Sequence, residues 1–145
     1  MSRALAVLAR VREAREKDSL VGLLTSAALT AERDHAAAVA RAAYSEEPRA
    51  VDGSPQRFLA HRAALVVAAN VLDHRDQVAR DSALTTSVAR RRWQDDRVSL
   101  RTVERLVERR AEAERSERER RETRELDLIA EQLHHRRARD GEVSS

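Results

Sequence analysis

Apolar residues recur along this chain at helical spacing, and almost nothing interrupts them. Phe58, Leu65, Leu72, Ala79, Thr86, Trp93, Leu100 and Val107 fall on one line at a strict seven-residue interval, and only Thr86 is polar. A repeat of that period keeps one seam facing a partner helix. It fails past Val107, where the next positions are Glu114 and Arg121. In the first third of the chain, Val7, Ala14, Val21, Ala28, His35 and Ala42 form a matching line, with Leu24, Ala31 and Ala38 beside it. The one convincing loop lies between the two patterns, where residues 46–55 read EEPRAVDGSP. The pattern therefore predicts a helix over 3–45, a loop over 46–55, a second helix over 56–139 and a frayed tail over 140–145. Ser54 can cap the second helix and Pro55 suits its first turn, where a missing N–H costs nothing. Asp140 and Gly141 read as its stop.

These elements imply an all-α fold, a single coiled-coil domain in which two long helices form an antiparallel hairpin. The short loop forces the antiparallel sense. The second helix is about twice as long as the first, so its C-terminal end should protrude. The expected seam joins Val21, Leu24 and Ala28 to Phe58, Leu65, Leu72, Ala79, Trp93, Leu100 and Val107. An alanine-rich seam buries little area per contact, and Gly22 weakens the first helix further.

Composition supports few, long elements. The 145 residues include three glycines, two prolines and one each of Trp, Tyr and Phe. Tight turns and thick layered cores consume far more of these residues. Cysteine is absent, which excludes disulfides, thiolate metal sites and thiol nucleophiles. The 28 basic residues are interspersed with 25 acidic ones. That mixture describes a solvated helix surface better than a polyanion-binding field. The early apolar run is broken by Arg10 and Arg12, and no stretch approaches a membrane span. A cytoplasmic chain without direct membrane insertion is expected.

Catalytic and metal chemistry find no foothold. His134 and His135 are adjacent and diverge by about 100°, so they cannot share a metal as an i, i+4 pair would. No phosphate loop or nucleophile elbow is present. Two helices also build no water-excluding pocket, so no enzyme activity and no cofactor are expected. Arg90-Arg91-Arg92-Trp93 is the most nucleic-acid-like stretch. Trp93 lies on the heptad line and Asp95 and Asp96 follow, which favours seam plus solvated charge over phosphate binding.

Two apolar surfaces remain without an internal partner. Val67, Val71, His74 and Val78 make a second stripe, rotated away from the Leu65–Leu72–Ala79 line. Leu126, Ile129, Ala130 and Leu133 return at helical spacing after the charged run ERRAEAERSERERRETRE, flanked by Arg124, Arg136 and Arg137. Patches of this kind ask for another protein.

The layout resembles the FliJ family of flagellar type III protein export across nearly the whole chain. The resemblance rests on the N-terminal stretch from Leu5, the short loop, the opening Gln56-Arg-Phe-Leu, and above all the C-terminal Arg121-Glu-Thr-Arg-Glu-Leu-Asp-Leu-Ile-Ala. Leu128 departs from it, standing where an acidic residue is common, and no aromatic precedes Gln56. The resemblance implies a non-enzymatic stalk that couples the export ATPase ring to the cytoplasmic part of the membrane export gate and assists export chaperones. It implies a location at the cytoplasmic face of the cell membrane, at the flagellar base, by peripheral association. On that footing, Arg124, Leu126, Ile129, Leu133 and Arg136 are expected to meet the ATPase, and Val67, Val71, His74 and Val78 the gate. The alternatives are a self-associating coiled-coil scaffold unrelated to motility and a helical nucleic-acid binder.

Overall fold

The computed structural model describes residues 3–47 and 53–143, and side-chain surroundings in the second helix as far as residue 137. Two helices account for nearly all of it: α1, Arg3–Glu46, and α2, Pro55–Val143. Their lengths of 44 and 89 residues follow the predicted two-to-one proportion. No strand occurs among the described residues. Of the expected loop, residues 48–52 lie outside the described residues, as do Ser144 and Ser145 of the expected tail.

The start of α2 forms as its sequence dictates. Pro55 is its first residue. Ser54 Oγ accepts from the Arg57 N–H at 3.4 Å, and the Ser54 carbonyl accepts from the Phe58 N–H at 3.2 Å. Two of the helix's first N–H groups are thereby satisfied. Gly53 just before the cap has φ +139°, a conformation L side chains rarely adopt. The other end departs from expectation, because α2 continues through Asp140 and Gly141 to Val143. Glycine costs a helix only about 1 kcal/mol. With no proline following, Gly141 does not stop it.

Contacts divide the chain into two units, Val11–Leu100 and a second made of Met1–Arg10 with Arg101–Ser145. Within Val11–Leu100 the helices are antiparallel. Glu16 meets Trp93, Thr30 meets Ser82 and Thr86, and Arg41 meets Asp76. Partner numbers fall as α1 numbers rise, which fixes the hairpin and its register.

The seam of α1 is not the predicted one. Val21 and Leu24 are 62% and 60% exposed, and Ala28 is exposed as well. The half-buried and buried positions instead follow Arg12, Ser19, Ser26, Arg33 and Ala40, with Glu16, Leu23, Thr30 and Ala37 between them. This line is displaced by two residues, a turn of about 200° on a helix. Most of the inward positions other than Leu23 are small or polar, and Glu16 and Thr30 among them hydrogen-bond to α2. Thr30 Oγ1 lies 2.9 Å from Ser82 Oγ and 2.8 Å from Thr86 Oγ1. The Trp93 indole N–H donates to Glu16 Oε1 at 2.8 Å. Arg41 donates to Asp76 at 2.8 Å on the rim.

On α2 the predicted line holds for most of its length. Ala79 is buried, and Leu65, Leu72, Thr86, Trp93, Leu100 and Val107 are half-buried. Phe58 is the exception at 54% exposure. A second line, His61, Ala68, Ser82, Ala89, Asp96 and Val103, completes the heptad, interrupted at the exposed Arg75. Among the described residues, only Ala37, Ala79 and Val103 are buried apolar side chains. The seam is thin, as small residues allow close approach but little area.

Candidate partner-docking surfaces

In the unit formed by residues 1–10 and 101–145, Val103 is buried and Val107 and Ala111 are half-buried. Beyond Ser116 and Glu117, every described side chain from 118 to 137 is exposed. This stretch keeps helical form through local means. Arg121 Nε meets Glu117 Oε1 at 3.4 Å and His135 approaches Glu131 at 3.8 Å, both at i, i+4 spacing. An exposed Arg–Glu pair of this spacing contributes about 0.2–0.5 kcal/mol. Thr123 donates back to the Glu119 carbonyl at 2.9 Å.

On this exposed helix Leu126, Ile129 and Leu133 are 66%, 54% and 50% accessible. Their spacing of three and four residues sets them on one face. Arg124 and Arg136 are exposed near its two ends. Leu128, 57% exposed, points about 200° away from Leu126 and widens the apolar surface beyond that stripe. Its sequence signal was present, but a search for a single face passes over it. The rings of His134 and His135 stand 6.4 Å apart at 43°, two separate side chains on neighbouring positions.

The stripe at the start of α2 is also largely exposed: Val67 at 61%, Val71 at 46% and His74, whereas Val78 is half-buried at the edge of the seam. Trp93 takes the seam role through Glu16. Arg97 lies over its ring at 5.1 Å, and Arg90, Arg91 and Arg92 are exposed. In the first third of α1, the Lys17 ammonium donates to Glu13 at 2.7 Å. That hydrogen bond holds the Glu13 carboxyl below its ordinary range and raises Lys17 above its own. The pair's contribution is therefore present at neutral pH and lost as pH falls through the carboxylate range.

Sequence reasoning missed the polar layer of the seam, Glu16, Ser19, Thr30 and Ser82. The available signal was the seven-residue spacing of small residues, Ser19 to Ser26 and Ser82 to Ala89, which a scan for large apolar residues ignores. No helix among the described residues is long and apolar enough to cross a membrane. The fold and its uncovered faces define a two-helix coiled coil. Comparison with family models, curated proteins and solved structures finds no match for this chain.

Proposed function

We propose that this chain is a non-enzymatic interaction protein that docks a partner through the C-terminal stretch of α2. In the finer reading, that partner is the export ATPase of the flagellar type III apparatus. The chain then acts as a stalk between the ATPase ring and the cytoplasmic part of the export gate, assists export chaperones and is peripherally associated with the membrane. The observation that carries the docking is the exposed face of Leu126, Ile129 and Leu133, beyond the last half-buried position of α2. Burying three such side chains is worth on the order of 5 kcal/mol before association costs are subtracted. The ATPase and gate assignments draw on the sequence resemblance, and the exposed Val67–Val71 stripe offers the gate a second surface.

The test is co-purification and stimulation of the ATPase with Leu126→Asp/Ile129→Asp. Both should be lost while the melting temperature of the chain stays unchanged, since neither side chain is covered. Normal ATPase binding by the double variant moves the contact elsewhere. No ATPase binding by the unaltered chain removes the export reading and leaves an adaptor unrelated to motility.

A further inference from the structure

On the exposed stretch of α2 from 118 to 137, the face of Leu126, Ile129 and Leu133 carries charge at both ends. At about 100° per residue, the charged side chains within about 75° of the middle of that face are Arg118, Glu119, Glu122, Glu125, Arg136 and Arg137. All six are exposed. From its N-terminal side the face therefore runs from carboxylates, with Arg118 at their outer edge, through the apolar side chains to the paired arginines. The ion pairs of this stretch, Arg121–Glu117 and His135–Glu131, lie on other sides of the helix. They leave the charges of this face unmatched along its own length.

We infer that this face pairs with the same face of a second copy of the chain, running antiparallel and centred between Ile129 and Ala130. Leu126 then packs on Leu133 of the other copy, and Ile129 on Ile129. The charges match in the same register. Each flank of an antiparallel pair meets the equivalent flank of its partner, which brings Glu125 to Arg136 and Glu119 to Arg137. Glu122, near the centre line, lies level with Arg137. Twofold symmetry makes each contact twice. Arg118 falls beyond them, level with position 141. A parallel copy sets Glu122 on Glu122 and brings neither arginine to a carboxylate of the face. Three apolar side chains from each copy make a small interface beside the roughly 800 Å² per partner of a standard one. The pair is therefore weak and reversible, open at low micromolar concentration and closed when copies crowd together. It covers the face proposed above to dock a partner, so self-pairing holds that face closed until the partner displaces the second copy. The inference rests on this face being a docking surface, whichever partner it takes.

Sedimentation equilibrium of the full chain at concentrations up to roughly 200 µM, a range suited to so weak a contact, should show monomer and dimer in exchange. Arg136→Glu/Arg137→Glu should weaken the dimer at least about tenfold, and so should Glu119→Arg/Glu122→Arg/Glu125→Arg. An equimolar mixture of these two variants should associate again, because each supplies the sign the other lacks. Arg120→Glu/Arg124→Glu makes the same change of charge on the opposite side of the helix. It should leave both dimer and helicity unchanged. A monomer throughout, equal loss with Arg120→Glu/Arg124→Glu, or no association in the mixture overturns the proposal. Direction is read in the otherwise unaltered chain, because the absence of cysteine makes single spin labels clean. Labels at the exposed Ala113, as Ala113→Cys, should lie about 50 Å apart, twice the rise from the midpoint of the pair. A separation under about 25 Å, that of two parallel helices side by side, contradicts the antiparallel pair. A chain that stays monomeric yet binds the export ATPase overturns the self-pairing alone. A dimer that the ATPase neither binds nor displaces keeps the self-pairing and overturns the export reading.

Discussion

Thr30 has a hydroxyl within 3 Å of two others on the facing helix, and few side chains in this chain are more consequential. In a seam of alanine and serine, hydrogen bonds between hydroxyls define the register that large apolar side chains define elsewhere. Thr30→Val keeps the volume but leaves Ser82 and Thr86 facing a methyl group. It should cost about 1–2 kcal/mol, read as a lower midpoint in urea denaturation followed by circular dichroism. Replacing Ser82 and Thr86 by Ala and Val as well should recover most of that loss, since a half-satisfied polar layer is worse than an apolar one. No recovery would mean that Thr30 acts through packing alone. The residue scale is also where the sequence was least legible. Val21, Leu24 and Ala28 announced a seam by hydrophobicity and proved exposed, while Glu16 and Thr30 hydrogen-bond to α2 and Ser19 is buried. Hydropathy ranks residues by their cost in water, and this seam is selected by size and hydrogen-bonding capacity.

At the scale of the helix, the sequence was read well wherever local chemistry decides. The absence of breakers over residues 3–45, the Ser54–Pro55 start and the length ratio of the helices all appear as expected. Ser54→Ala should remove the cap on Arg57 and cost about 1 kcal/mol, measured by the same denaturation. An unchanged midpoint would show that the cap hydrogen bond, already long at 3.4 Å, contributes nothing. The C-terminal end was read less well because Asp140-Gly141 is a stop signal only when the chain adopts a left-handed turn there. The heptad line of α2 was legible because its apolar members survive in the fold from Leu65 to Val107. Its companion line was hidden by Ser82 and Asp96. The exposed positions of Val67, Leu126 and Ile129 follow from the same periodicity: apolar residues off the seam line have no second helix to meet.

The chain taken whole has a unit held by hydrogen bonds across two helices and a stretch of α2, residues 118–137, whose side chains are all exposed and carry local pairs. The two should differ in stability: opening of exposed single helices takes little free energy, while the paired helices open only with the cooperative unit. The proposed docking face of Leu126, Ile129 and Leu133 lies in this exposed part. Hydrogen–deuterium exchange of the full chain, alone and with the export ATPase, tests that claim most directly. The account predicts slow exchange around Thr30, Ala37, Ala79 and Ser82, and fast exchange over 118–137 in the free chain. It predicts new protection over 126–133 when the ATPase is added. Slow exchange over 118–137 in the free chain, or an ATPase complex that leaves Leu126, Ile129 and Leu133 unprotected, would contradict it.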